Sequence, residues 1–209
     1  MVTMNQPLQV QMTTTTHRFR LALSAEVTKR LIARCYKHEV AKRGKTYKPT
    51  LAIGQAMLTI AEFITADNAK LGVLMMGLPG GGKTTMMKAI EAMIDRLCEM
   101  GVCNTPLNLL TANKIAELAR DSNRFNNFCN LPFIGIDDLG TEPSEIVEYG
   151  NVIKPLTQLL EYRYERQLVT LVTTNLKRED ITNRYGVRVA DRFQETMIPI
   201  VFADKSFRV

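Results

Sequence analysis

From Leu71 onward five short apolar runs alternate with four longer stretches of helical periodicity. The runs are LGVLMMG, PLNLL, PFIGIDD, LVTLVTTN and IPIVFA. Their apolar residues are nearly continuous instead of alternating with polar ones. A strand of that kind must be covered on both faces, which is the condition of a parallel sheet with helices above and below. The intervening segments supply those helices, from about Lys83 to Met100, from Thr111 (capped by Thr111 or Asn113) to Arg120, one ending near Arg166, and a shorter one from Glu179 to Arg192. The predicted architecture is α/β, with five parallel strands. A length of 209 residues with 45% hydrophobic content is enough for one well-buried core.

Residues 1–66 read differently. The first sixteen are polar and repetitive, ending in TTTT, and predict a frayed terminus. Ser24 can cap a helix carrying Val27, Leu31, Ile32 and Cys35, which Gly44 ends. A second helix from about Thr50 to Ala66 follows Pro49. We therefore divide the chain into a basic, mostly helical extension (1–66) and a core (67–209). The net charge of +6 lies entirely in the extension: before Pro49, ten Lys or Arg face only Glu26 and Glu39. Such a segment either contacts an anionic partner, nucleic acid or an acidic protein surface, or forms a solvated helix face.

The longest apolar stretch, Leu71 to Leu78, is far short of the roughly 20 residues that span a bilayer, and the polar opening lacks the cationic and apolar regions of a signal peptide. A cytoplasmic protein with no membrane partner is expected. Cys35, Cys98, Cys103 and Cys129 form no paired CxxC arrangement, which fits reduced thiols better than a disulfide framework or a zinc site. Met75, Met76, Met86, Met87 and Met93 read as adaptable packing around the first strand and helix. NRFNNFCN (123–130) reads as a polar loop before the third strand, facing DNA or a neighbouring subunit.

Between the first apolar run and the helix from Lys83 stands GLPGGGKTT: Gly77, Leu78, Pro79, Gly80, Gly81, Gly82, Lys83, Thr84 and Thr85. It satisfies GxxxxGK[ST] in the strand-to-helix context that pattern requires. The glycines let backbone N–H groups turn inward onto phosphate oxygens, and the helix start adds its positive dipole end. Lys83 is placed to reach the β and γ phosphates and the Thr84 hydroxyl to ligate Mg2+, so a nucleotide with Mg2+ is the expected ligand. A phosphate cradle does not say whether the nucleotide is split. The third run ends in Asp137 and Asp138: the first carboxylate fits the magnesium shell, the second the orientation or deprotonation of a water. The fourth ends in Thr174 and Asn175, and in a parallel sheet such strand ends converge on the ligand crevice, within reach of the γ-phosphate or the water.

Together these residues resemble the AAA+ ATPases, and within them the branch of the DnaC and DnaI helicase loaders and the IstB transposition helpers. The resemblance covers roughly 71–208. GLPGGGKT looks like Walker A, IDDLG like Walker B and TTNL like the sensor-1 strand end. RYGVRVADRF (184–193) looks like box VII, whose arginine projects into a neighbouring subunit's ATP site. By motif position Arg192 is that finger and Arg188 the runner-up. The closing ADKSFR is similar to the branch's terminal ending, in which Arg208 receives no role. The resemblance implies an AAA+ core without a C-terminal lid domain and an ATPase that uses Lys83, Asp138, Asn175 and Arg192. It further implies ATP-dependent assembly into a ring or helical oligomer, and DNA as a partner. Two roles follow from it: loading a replicative helicase on single-stranded DNA, or presenting duplex DNA to a transposase. A small-molecule kinase or a non-hydrolysing nucleotide switch are the readings outside that branch.

Overall fold

A computed structural model describes residues 18–67, 70–148 and 151–202. Among these residues seven strands form: β1 (Gly72–Gly77), β2 (Asn108–Thr111), β3 (Phe133–Leu139), β4 (Ile146–Glu148), β5 (Asn151–Ile153), β6 (Val169–Thr174) and β7 (Met197–Phe202). Five make one sheet in the order β2-β3-β6-β1-β7, every pairing parallel, as the continuous apolar runs require. The chain leaves β1 for the far edge at β2, returns through β3 to β6, and crosses over β1 to finish at β7. Consequently β6, late in sequence, lies between β3 and β1.

Eight helices accompany the strands among the described residues: α1 (Ala25–Ala41), α2 (Leu51–Thr65), α3 (Lys83–Glu99), α4 (Ala112–Leu118), α5 (Ser122–Asn130), α6 (Pro155–Glu165), α7 (Arg178–Tyr185) and α8 (Val187–Thr196). Their starts obey local chemistry. Ser24, Thr50 and Thr111 accept from the backbone N–H three residues on, at 3.2–3.3 Å, and Asp121 accepts from Asn123 and Arg124. Successive residues of β1 point to opposite faces, so two apolar clusters form. Val73 and Met75 join α1, α2 and α3 on one side, and Leu74 joins α4 to α8 on the other. α1 and α2, set apart above as an extension, thus share a core with β1 and α3: Ile32, Tyr36, Met57 and Ile60 lie in one cluster with Met86 and Ile90.

Three local expectations change. NRFNNFCN is not a loop but most of α5, because Phe125, Phe128 and Cys129 recur at helical spacing and bury one face while the asparagines point out. The segment after β3 is not one long helix: the hairpin β4–β5 precedes α6, which starts at Pro155, a residue that fits only a first helical turn. The helical stretch before β7 is two helices, divided at Gly186, where φ is +88°. The TTTT opening, His17 and Arg208 lie outside the described residues.

Candidate nucleotide site

The glycines of GLPGGGKTT answer two demands at once. Gly77, Gly80 and Gly82 have φ of +142°, +90° and +95°, values that other residues adopt only under strain. Space is the second demand. A Cβ on Gly77 would stand 2.3 Å from the Phe202 carbonyl oxygen of β7, and one on Gly82 would stand 2.5 Å from the Tyr36 hydroxyl of α1. The loop is therefore pressed between the last strand and the first helix. α3 starts directly after it with no side-chain cap, leaving its first N–H groups turned toward the loop's concavity.

Lys83 is 4% exposed, and its ammonium donates to Gly77 O (2.8 Å), Leu78 O (3.0 Å) and Asn175 Oδ1 (2.8 Å). Asn175 follows β6, and the strand order alone brings it to a lysine 92 residues earlier in sequence. Asp137, equally buried, accepts from Thr84 Oγ1 (3.2 Å) and from Thr173 Oγ1 of β6 (2.6 Å). Pairing between β3 and β6 slips after Ile136 and resumes at Leu139. Such an irregularity re-aims side chains at the end of a strand. Asp138 sits inside it with φ +56°, its N–H donating to Thr173 Oγ1 (2.8 Å) in place of a ladder partner.

The loop beyond Asp138 is pinned as well. Glu142, whose side chain is 1% exposed, accepts from Gly140 N (2.8 Å), Tyr185 Oη (2.5 Å) and Arg184 Nε (3.3 Å). Burial, and then the bond to Glu142, push the Tyr185 phenol far above its usual range, so it is a permanent donor. This network ties the acid-bearing loop to α7.

A cavity of about 740 Å³ opens over these groups. One side is the expected motif: Gly80, Gly82, Lys83, Thr84, Thr85, Asp138 and Asn175. The other comes from the end of α1 and its connection to α2, including Tyr36, Arg43, Lys45, Tyr47 and Lys48. Sequence reasoning missed this wall. Its sole signal was the basic excess before Pro49, which points equally to any anion.

Arg188 and Arg192 lie outside the cavity, on α8, which runs toward the start of β7. Arg192 lies over the Tyr164 ring, 4.2 Å from its centroid, with Glu161 and Glu165 at 3.9 and 3.6 Å. Its side chain is 13% exposed, and its Nη1 is buried without a hydrogen-bond partner. Arg188 shares the same two carboxylates but is 66% exposed. The structure thus gathers Lys83, Thr84, Asp137, Asp138 and Asn175 into one site and holds both arginines apart from it.

The residues fit a nucleotide triphosphate with magnesium: a glycine cradle, a buried lysine, and hydroxyl and carboxylate oxygens 3.2 Å apart. Sequence comparison finds no matching family model and no matching curated protein. Comparison of folds does find relatives. The DnaC helicase loader aligns with a TM-score of 0.59 at 22% identity, over 79% of this chain and 97% of that one. DnaI aligns at 0.52 and 17% identity, over 84% and 82% of the two chains. AMPPCP-bound DnaA from Aquifex aeolicus aligns at 0.52 and 14% identity, over 74% of this chain and 48% of that one. With its parallel sheet order and glycine loop, the chain carries the α/β P-loop fold of these structures.

Proposed function

We propose that the chain binds ATP with Mg2+, hydrolyses it, and serves DNA replication as a DnaC-like helicase-loading protein that assembles on DNA. The observation that carries this reading is Asn175, just past β6, which accepts from Lys83 at 2.8 Å and lines the same cavity as Asp138. A phosphate cradle alone serves kinases and switches equally. A polar amide beside the cradle lysine, in one cavity with an acid, is suited to handling a water at the terminal phosphate.

In this mechanism Lys83 exchanges its carbonyl and amide partners for β and γ phosphate oxygens, while the N–H groups of the glycine loop hold the remaining charge. Thr84 and Asp137 are the protein oxygens that would hold magnesium, which supplies neutralisation of charge on the β and γ phosphates. Asp138 orients the attacking water and accepts its proton, and Asn175 holds the water or the terminal oxygens. The cation still lacking comes from α8 of a neighbouring subunit. Arg192 is the candidate by motif; in the single chain Tyr164, Glu161 and Glu165 hold it. Leaving the Tyr164 ring, where it is largely buried, costs it about 2 kcal/mol. Arg188, already exposed, is the alternative. Head-to-tail contacts of this kind close into rings or spiral into filaments.

The test is ATP turnover across a series of protein concentrations, with and without single-stranded or duplex DNA. Turnover per subunit should rise with concentration and rise further with single-stranded DNA. No turnover under any condition would refute hydrolysis. DNA affinity unchanged between about 50 and 200 mM salt would refute direct phosphate contact.

A further inference from the structure

The wall opposite the glycine loop holds a cation that the mechanism above does not use. Arg43 lies two residues beyond α1, and its Nη1 donates to Thr85 Oγ1 at 2.8 Å. Its backbone is well anchored. The N–H groups of Lys42, Arg43 and Gly44 bond back to the carbonyls of His38, Val40 and Ala41 at 2.9–3.1 Å, and Gly44 turns the chain away with φ +68°. α1 is itself held against α3 through Ile32 and Tyr36. That frame fixes the backbone, and the bond to Thr85 aims the exposed side chain at the first turn of α3.

Two features mark it as a ligand-binding group. Among the described residues no carboxylate pairs with Arg43, and it donates to a neutral hydroxyl, although a guanidinium has five N–H donors. The surroundings are also one-signed: Arg43, Lys45, Lys48 and Lys83 line the cavity against Asp138 alone. Four cations around one carboxylate favour a polyanion there. The hydroxyl it touches locates the contact. Thr85 is the residue after Thr84, in the first turn of α3, where the phosphates nearer the sugar meet the helix N-terminus.

We propose that Arg43 is a phosphate ligand contributed by the end of α1, binding the phosphate next to the sugar while Lys83 serves the outer ones. The inference rests on the nucleotide reading above. It assigns part of the basic excess before Pro49 to the nucleotide and makes α1 one jaw of the pocket.

Titration calorimetry of the full chain with ATP, ADP and AMP tests it. Arg43→Ala should weaken ATP and ADP by the same factor, about tenfold or more for a lost charge-assisted bond, and AMP at least as much. Arg43→Lys should recover part of the loss, since it keeps the charge but not the fork. Arg43→Gln, a polar variant that can still bond to Thr85, guards against a misfolded alanine variant; melting without nucleotide should match wild type. Wild-type binding with all three variants within twofold of it would overturn the inference and leave the nucleotide reading standing, as would a loss confined to ATP. A wild-type chain that binds none of the three nucleotides would overturn both.

Discussion

Asp138→Asn separates binding from chemistry more cleanly at this site than any other single change, because of its backbone. Asp138 adopts φ +56°, the left-handed region that asparagine enters as readily as aspartate. The backbone bond from its N–H to Thr173 Oγ1 does not involve the side chain and survives the change. The substitution therefore removes a negative charge and a proton acceptor without strain or lost volume. Loss of a positioned general base slows turnover by about 10² to 10⁴, or about 2.7–5.5 kcal/mol in the barrier. ATP affinity should hold or improve slightly, since a carboxylate next to a polyanion is gone. Asp138→Ala is the contrast: alanine in the left-handed region adds about 1–2 kcal/mol of strain, so it should melt earlier as well as turn over slowly. Phosphate-release kinetics, calorimetric ATP binding and thermal melting on the same preparations read all three quantities. If Asp138→Asn keeps more than a tenth of wild-type turnover, Asp138 is not the base. If it loses ATP binding instead, the residue holds the nucleotide.

Other outcomes follow from neighbouring parts of the molecule. If α8 completes a neighbour's site, inactive Arg192→Ala and inactive Lys83→Ala chains should regain turnover when mixed; silence in every mixture, with Arg188→Ala substituted for Arg192→Ala as well, would exclude a shared site. Arg163, 2% exposed, donates to Cys129 O, Leu131 O, Val169 O and Thr170 Oγ1, and burial lowers its guanidinium to about 9, so it remains charged at neutral pH. Arg163→Ala orphans four acceptors and should cost about 3–5 kcal/mol in urea denaturation, with a cost below about 1 kcal/mol contradicting the account. Burial raises the Cys129 thiol from its ordinary 9.0 to about 11. The folded chain keeps that proton after the unfolded chain has released it, so this contribution is present in full below pH 9 and is lost between about 9 and 11. Denaturation at several pH values should show wild type losing stability over that window relative to Cys129→Ala.

Much of the site was legible because its chemistry is local. GxxxxGKT needs only its own spacing to announce a cradle, and the structure explains Gly77, Gly80 and Gly82 by positive φ and Gly77 also by a close backbone approach. Asp137 and Asp138 were legible because an apolar run that ends in two acids has a definite end. NRFNNFCN misled because its asparagines outnumber its apolar residues. Phe125, Phe128 and Cys129 nevertheless share one helical face, and burial on that face decided the outcome. The hairpin β4–β5 carries exposed Val147 and Val152 and leaves no strong periodicity to detect.

By itself the sequence determined the five strands of the main sheet, their parallel pairing and the glycine cradle, because continuous apolar runs, caps and glycine spacing act over a few residues. Only the tertiary structure decided what faces that cradle. Strand order set β6 between β3 and β1 and so delivered Asn175 to Lys83. Packing of α1 against α3 turned a basic stretch some 40 residues upstream into the opposite wall of the pocket. The same packing on α6 laid Arg192 across Tyr164, outside its own site. Such contacts depend on which buried faces find each other, and no local pattern records that choice.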